Sequence, residues 1–94
     1  MNSLDCFTLK DKVVVVTGAG RGIGRVIAKD AFKSGAKLAV GSRTTSELKT
    51  LKDEIEGAGG ECMMGSLDVT QVNSIRQFLD GVIEHYGRID VLIN

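Results

Sequence analysis

The sequence predicts an α/β protein in which parallel strands form one sheet with helices on both faces. Four short apolar segments typical of strands alternate with three segments in which apolar residues recur at helical spacing. The resulting order is βαβαβαβ, with no linker or low-complexity stretch between the elements. Strands that alternate with helices in this way are joined by right-handed crossovers, which produce a parallel sheet covered on both faces.

The size and charge of the chain limit what it can be. Its 94 residues suffice for one small domain with a thin core. The 12 basic and 12 acidic residues balance, which argues against a nucleic-acid partner because phosphate binding needs a basic surplus. The longest aliphatic run, Val13 to Val16, is far shorter than the roughly 20 apolar residues of a membrane span. The first residues lack the basic and apolar regions of a signal peptide, so we expect a cytoplasmic protein.

The two cysteines, Cys6 and Cys62, match no metal-binding or redox spacing. We expect two reduced thiols, with Cys62 in a strand, and a disulfide between them is the alternative.

The first two predicted strands flank the first predicted helix. The β-branched run from Lys12 to Thr17 is typical of a strand buried on both faces. The helix follows a cluster of glycines, and Gly35 suits its left-handed end. The second strand is Lys37 to Gly41. The apolar face of the first helix is predicted to comprise Ile23, Val26, Ile27, Ala31 and Phe32.

A capping-box pattern opens the second predicted helix, because Glu47 follows Thr44 by three residues. Glycines at positions 57, 59 and 60 are expected to stop this helix. Its apolar face is predicted to comprise Leu48, Leu51, Ile55 and Ala58.

The third predicted strand spans Glu61 to Ser66, and its Met63-Met64 pair is expected to fill the core. Thr70 is the predicted N-cap of the third helix, which is expected to end at Gly87. The fourth predicted strand is Ile89 to Ile93. The apolar face of the third helix is predicted to comprise Ile75, Phe78, Leu79, Val82 and Tyr86.

A glycine-rich loop joins the first strand to the first helix, and it reads Thr-Gly-Ala-Gly-Arg-Gly-Ile-Gly from Thr17 to Gly24. A helix N-terminus presents unpaired N–H donors and a positive dipole end, which together suit a pyrophosphate. Glycines allow the tight turn and the close approach of backbone to ligand, so a side chain at Gly18 or Gly22 is expected to obstruct one of these roles. Neither Gly-x-Gly-x-x-Gly nor the ATP-type loop fits, whereas Thr-Gly-x-x-x-Gly-x-Gly does. A glycine turn without a ligand is the alternative.

This spacing resembles that of the short-chain dehydrogenase/reductase family. Phe7-x-Leu9 resembles its lead-in, Leu67 to Thr70 its Asp-Val motif, and Ile89 to Asn94 the strand that enters its Asn-Asn-Ala-Gly motif. The resemblance implies a partial Rossmann-type doubly wound sheet with strands 1–4 in the order 3-2-1-4. It also implies that residues 1–94 are the N-terminal part of a single NAD(P)-binding domain.

The loop, the resemblance and a count along the chain together predict which residues bind a nicotinamide dinucleotide. They are Gly18, Gly20, Arg21, Gly22, Ile23, Gly24, Ser42, Arg43, Asp68, Val69 and Asn94. The resemblance implies that Asp68 meets the adenine amino group, although this residue could instead serve the start of the next helix. Asn94 is expected to line the cofactor cleft or to fray as a terminal residue.

The residues about 20 positions beyond the glycines indicate which nicotinamide cofactor binds. An Asp or Glu there would bond the ribose 2′-hydroxyl of NAD, but Ser42 and Arg43 occupy the place. Ser42 can donate to a 2′-phosphate and Arg43 offers a bidentate fork, with Arg21 close enough to help. NADP(H) is therefore the preferred cofactor and NAD(H) the alternative. Solvated surface cations are the competing interpretation of both arginines.

The family's chemistry is hydride transfer between nicotinamide and a small carbonyl or alcohol substrate, and it depends on a Ser and a Tyr-x-x-x-Lys set. This chain has a single tyrosine, Tyr86, and Asp90 stands four residues later in place of Lys. No catalytic residue is carried over, so we expect the catalytic C-terminal part to be absent and this chain alone to be inactive.

Two other functions remain open. One is a non-catalytic protein that binds nucleotide or caps a partner through the exposed edge of strand 4. That edge, or a missing C-terminal half, is also where oligomers are expected to form. The other is a different Rossmann protein such as a methyltransferase, against which Ser42 and Arg43 argue.

Overall fold

The computed structural model describes residues 8–94, so Cys6 and Phe7, and with them the disulfide alternative and part of the lead-in, lie outside the described residues. The elements follow in the predicted order. They are β1 (Val13–Thr17), α1 (Gly22–Lys33), β2 (Lys37–Ser42), α2 (Thr45–Gly57), β3 (Cys62–Ser66), α3 (Val72–Tyr86) and β4 (Val91–Ile93).

The four strands form one parallel sheet in the order β3-β2-β1-β4, which confirms the predicted partial Rossmann topology. β1 lies inside the sheet, with Val15 paired to Ala39 of β2 on one side and to Leu92 of β4 on the other. Because every pairing is parallel, the carboxyl ends of all four strands meet at one edge of the sheet.

The valine run of β1 separates two apolar cores. Val14 and Val16 pack in the core on the side of α1 and α2, whereas Val13 and Val15 pack in the core on the side of α3. All four side chains are at most 1% exposed, and burying each stabilises the fold by about 1.5–3 kcal/mol. Met63 and Met64 pack against opposite cores, which confirms that they fill space.

Two predictions about helix starts were wrong in detail. Thr44 does occupy the N-cap position of α2, but its side chain makes no capping hydrogen bond, so the capping box does not form. The N-cap of α3 is Gln71 and not Thr70. The hydroxyl of Thr70 donates instead to Asp68, two residues before it, which satisfies that hydroxyl before the helix begins.

The predicted ends of the helices agree with the structure better than the predicted starts do. Gly35 and Gly59 lie just past α1 and α2 with φ of 97° and 90°, a left-handed conformation suited to a helix end. Gly57 is the last residue of α2 and does not stop it. Gly87 ends α3, as predicted.

The predicted apolar faces of α1 and α2 were partly wrong. Ile23 and Val26 are 78% and 58% exposed, because α1 meets the sheet through the small residues Ala28 and Ala31 further along the helix. Ala58 is exposed because it lies at the C-cap of α2, beyond the last packed turn. The apolar face of α3 is as predicted, with Phe78 and Val82 buried.

Cys62 lies buried in β3, as predicted, and it forms no disulfide within residues 8–94. Within residues 8–94, no helix combines the length and apolar character needed to cross a membrane. The cytoplasmic location stays a prediction.

Candidate cofactor-binding site

The glycine-rich loop lies at the edge of the sheet where the carboxyl ends of the strands meet. The chain runs outward from β1 to β2 and β3 and then returns to the other side of β1 to form β4. Such a reversal of strand order opens a crevice at the carboxyl ends of the central strands, where ligands bind in open α/β sheets. The amide of Gly18 donates to the carbonyl of Gly41 at 2.7 Å, which fixes the start of the loop beside β2.

Three glycines of the loop have distinct structural reasons to lack a side chain. Gly18 and Gly22 both have φ of +65°, in the left-handed region that favours glycine, although the space around each is open. At these two positions a side chain would therefore strain the backbone and would not collide with a neighbour. A Cβ at position 24 would overlap the carbonyl oxygen of Gly18 and lie 3.0 Å from its carbonyl carbon. Gly24 thus lets the first turn of α1 pack directly on the loop.

The N-terminus of α1 is free to accept an anion. The helix begins at Gly22, and the side chain of its N-cap residue, Arg21, makes no capping hydrogen bond. The first turn contains no acidic residue. The amides at Gly22, Ile23 and Gly24 have no partner inside the helix, as is general for a first turn. A pyrophosphate fits these features together: the positive dipole end of α1, its unpaired amide donors and the close packing of the backbone at Gly18 and Gly24.

Arg25 holds the loop in place from inside α1. Its Nη1 atom lies 3.3 Å from the carbonyl oxygens of both Gly20 and Glu47, and its Nη2 atom lies 2.8 Å from Oε1 of Glu54. The side chain is only 21% exposed. The sequence did not predict a role for Arg25. Its contacts join α1 to the loop and to α2, and no sequence pattern indicates contacts of this kind.

A small cleft of about 240 Å³ lies between the loop and the ends of β2 and β3. Six of the predicted residues line it, namely Gly18, Gly20, Arg21, Ser42, Arg43 and Val69. The hydroxyl of Ser42 donates to the carbonyl of Thr44 at 3.2 Å and accepts from its amide at 3.1 Å. The end of β2 therefore turns sharply into α2, and it presents a hydroxyl and a guanidinium to the same cleft.

An acidic side chain also lines this cleft, and the sequence analysis did not place it there. Glu47 is in the first turn of α2, with its side chain 32% exposed and its Oε2 atom 3.9 Å from Nε of Arg21. The spacing of about 20 residues from the glycines reaches only Arg43, and the sequence pattern predicts a capping role for Glu47. Because Thr44 forms no such box, the carboxylate of Glu47 is turned toward the loop.

A larger apolar cavity of about 450 Å³ adjoins the cleft on the α3 side of the sheet. Gly18, Leu67 and Val69 line both spaces, so the two are neighbours. Asn94 lines the larger cavity, and its Oδ1 atom accepts a hydrogen bond from the hydroxyl of Thr17 at 3.2 Å. Asn94 is therefore tied to the end of β1.

Asp68 lies between β3 and α3 and lines neither space. Its Oδ1 atom accepts from the hydroxyl and the amide of Thr70, at 2.6 Å and 3.0 Å. These bonds, with a smaller contribution from the charge of Arg43, hold the pKa of the Asp68 carboxyl below its usual value. Its contact with adenine stays a prediction.

Comparison with known proteins identifies the family. The sequence model of short chain dehydrogenases matches residues 12–94. The chain belongs to the short-chain dehydrogenase family. An uncharacterized oxidoreductase of Mycobacterium tuberculosis is 35% identical over 91 residues, which are 97% of this chain and 35% of that protein. The chain thus spans about a third of the length of that relative.

Solved structures of short-chain dehydrogenases share the fold. A short-chain dehydrogenase/reductase from Burkholderia phymatum, solved in complex with NAD, is similar with a TM-score of 0.88 and 30% identity over 92% of this chain and 31% of that one. An alcohol dehydrogenase from Thermococcus sibiricus, complexed with 5-hydroxy-NADP, gives a TM-score of 0.84 and 37% identity over 88% of this chain and 36% of that one. Both structures contain a nicotinamide dinucleotide, which is NAD in the first and 5-hydroxy-NADP in the second.

Tyr86 is poorly placed to act as the acid/base tyrosine of a short-chain dehydrogenase. Its hydroxyl donates to the carbonyl of Leu38 at 2.8 Å, near the start of β2 and so at the opposite end of the sheet from the loop. Burial raises the pKa of this phenol well above its usual value. Residues 8–94 also contain no cluster of side chains able to hold a metal ion.

Proposed function

We propose that the chain is the NADP(H)-binding, N-terminal part of a single Rossmann domain in a short-chain oxidoreductase. The observation that carries the proposal is the close packing of Gly24 on Gly18 beneath the uncapped N-terminus of α1. Within residues 8–94, nothing lies within 4 Å of the place where a Cβ at Gly18 or Gly22 would be, so the backbone donors and the dipole of α1 face open space. A pyrophosphate is the group that such a space fits best.

Each part of the dinucleotide has a proposed set of contacts. The pyrophosphate lies on the loop and on the first turn of α1, at Gly18, Gly20, Gly22, Ile23 and Gly24. The adenine lies beside Asp68 and Val69, and Asn94 borders the cofactor from the end of β4.

The preference for NADP(H) rests on the cleft at the end of β2. Arg21, Ser42 and Arg43 all line it, and together they supply two guanidinium groups and a hydroxyl for a 2′-phosphate. Position 42, where an acid would bond the ribose of NAD, is a serine. NAD(H) remains the alternative cofactor, since the site has room for a ribose without the phosphate.

Equilibrium titration of the 94-residue chain with NADPH and NADH tests the preference. We expect the dissociation constant for NADPH to be lower, by about tenfold for a phosphate that gains charged hydrogen bonds. In the double variant Ser42→Asp/Arg43→Ala the order is expected to reverse. Lys33→Ala removes a positive charge at the far end of α1 and serves as the matched control. Equal constants for the two cofactors in the unmutated chain would refute the preference for NADP(H).

In a complete enzyme the bound nicotinamide would donate a hydride to a small carbonyl substrate, or accept one from a small alcohol. The described residues supply no acid/base tyrosine near the loop, so we propose that this chain alone turns over no substrate. Oxidation of NADPH by the pure chain in the presence of a carbonyl compound would contradict this.

A non-catalytic binding protein is the second candidate, and the exposed edge of β4 favours it. β4 pairs only with β1 in the described sheet, and Leu92 is 48% exposed. An open apolar edge is a ready site for pairing with another chain. Sedimentation of the chain with and without NADPH distinguishes the two candidate functions. A capping protein is expected to form a complex with another chain whether or not the cofactor is present.

A further inference from the structure

We infer that Glu47 determines how strongly the cleft discriminates between NADPH and NADH, by opposing the 2′-phosphate. This inference rests on the proposed function. It concerns a residue that lies outside the glycine-rich loop and outside the Ser42-Arg43 pair. Its basis is the position of the Glu47 carboxylate among the same groups that would receive the phosphate.

The carboxylate shares its surroundings with those groups. Oε2 of Glu47 lies 3.9 Å from Nε of Arg21. The Cδ atom of Glu47 and the Oγ atom of Ser42 lie 3.7 Å and 3.4 Å from one point, the place where a Cβ at position 20 would be. A phosphate held by Arg21 and Ser42 would therefore stand close to a negative charge. Like charges at such a distance repel, so the carboxylate weakens phosphate binding.

The backbone of Glu47 is connected to the glycine-rich loop through Arg25, so a movement of α2 away from the loop would break this connection. The carbonyl oxygen of Glu47 accepts a hydrogen bond from Arg25 at 3.3 Å, and the same Arg25 atom binds Gly20. The side chain also lies in the first turn of α2, where the helix dipole favours a negative charge. A change of the side-chain rotamer is the movement that would carry the carboxylate away from Arg21 and keep the hydrogen bonds of Arg25.

NADH carries no 2′-phosphate and meets no such repulsion. A carboxylate can accept a hydrogen bond from a ribose 2′-hydroxyl, which is the role an acid plays in NAD-binding sites. Glu47 is thus expected to disfavour NADPH while leaving NADH unaffected or held slightly more tightly. The dissociation constants for NADPH and NADH would then differ less than Arg21, Ser42 and Arg43 alone would make them differ.

The test compares Glu47→Gln with the unmutated chain, using dissociation constants for NADPH and NADH at low and high salt. We expect NADPH to bind about tenfold more tightly in the variant at low salt, with a smaller gain at high salt, because surface charge effects are screened. The constant for NADH should stay the same or rise. Glu56→Gln removes a carboxylate near the other end of the same helix, outside the cleft, and is expected to leave the ratio of the two constants unchanged.

The outcomes separate this inference from the proposed function. If the unmutated chain binds both cofactors but Glu47→Gln leaves their ratio unchanged, or strengthens both equally, the inference is wrong and the proposed function stands. If the unmutated chain prefers NADH and Glu47→Gln raises the relative affinity for NADPH, the inference stands and the NADP(H) preference fails. Absence of binding to either cofactor overturns both. Circular dichroism of each variant checks that it folds, and Glu47→Ser provides a second neutral substitution.

Discussion

The guanidinium of Arg25 donates a hydrogen bond to the carbonyl oxygen of Gly20 at 3.3 Å. The same nitrogen binds the carbonyl of Glu47, and the other terminal nitrogen binds Glu54. One side chain in α1 therefore connects the glycine-rich loop to two turns of α2. The loop is held by its backbone, so its amides stay directed at the space where a pyrophosphate would bind.

Loss of this connection should weaken the binding of both cofactors. In Arg25→Ala we expect the dissociation constants for NADPH and NADH to rise together by about fivefold, as for the loss of one hydrogen bond of about 1 kcal/mol. The variant Arg25→Lys should recover part of the lost affinity, since lysine supplies one donor but cannot make the contacts of both guanidinium nitrogens. Titration of both cofactors against each variant measures the effect.

Lys29→Ala is the matched control for Arg25→Ala. Lys29 also pairs with Glu54 from α1, at 2.7 Å, but it makes no hydrogen bond to the loop. We expect its removal to change both constants by less than about twofold, since exposed ion pairs contribute little. Equal effects of the two substitutions would mean that Arg25 acts through the ion pair and not through Gly20.

Gly24 should tolerate no side chain. Gly24→Ala places a Cβ against the Gly18 carbonyl, and relieving the overlap is expected to cost about 2–3 kcal/mol in the free energy of unfolding. Gly81→Ala is the matched control, because a Cβ at Gly81 in the interior of α3 meets nothing within 4 Å. That variant should gain about 0.5–1 kcal/mol. Denaturant unfolding measures the free energy of unfolding of both variants. Similar values for Gly24→Ala and Gly81→Ala would contradict the close packing of Gly24 on Gly18.

The sheet could be predicted from the sequence because its signals are local and strong. The valine run of β1 is buried on both faces, and only a strand inside a two-faced sheet needs four consecutive apolar residues. The face of α1 was harder to predict. Ile23 and Val26 follow the helical period but lie in the first turns of α1, next to the glycine-rich loop and ahead of the alanines that meet the sheet. Periodicity does not show which turns of a helix lie over the core.

Cys62 should be unreactive while the chain is folded. Burial raises the pKa of its thiol to about 12, so almost no thiolate forms in the folded chain at mildly alkaline pH. In a Cys6→Ser background, we expect alkylation at about pH 8.5 to be at least about a hundredfold slower than in denaturant. Mass spectrometry follows the reaction. Equal rates in buffer and in denaturant would show that the β3 region does not hold its structure.

The link between β4 and β1 should make stability depend on pH. The hydrogen bonds from Arg88 and then from the amide of Val13, with a smaller contribution from the charge of Arg88, hold the pKa of the Asp90 carboxyl below its usual value. A carboxyl with a lowered pKa stabilises the fold above its unfolded pKa of about 3.9, and this contribution is lost as the pH falls through the folded value.

Asp90→Asn isolates that contribution. We expect the variant to unfold more easily than the unmutated chain near neutral pH, and the gap in free energy of unfolding to close below about pH 4. Urea unfolding at a series of pH values measures the gap. A gap that stays constant down to the most acidic pH would mean that the charge of Asp90 is not involved.

The binding site could be predicted only where residues act through their position along the chain. The glycines of the loop and the pair Ser42 and Arg43 follow from spacing, and the structure places six of the predicted residues in one cleft. Arg25 and Glu47 could not be found this way, since their roles depend on the crossing of α1 over α2. The N-cap prediction at Thr70 was wrong for a related reason. The sequence does not show that the hydroxyl of Thr70 binds Asp68 and not the first turn of α3.

Heteronuclear NMR of the 94-residue chain during titration with NADP⁺ tests the central claim most directly. The largest changes in amide shift are expected at Gly18, Gly22, Ile23 and Gly24, with further changes at Ser42 and Arg43. The amides around Tyr86, at the opposite end of the sheet, should not move. Binding with its largest shifts away from the loop, or no binding by a chain whose spectrum is folded, would contradict the account.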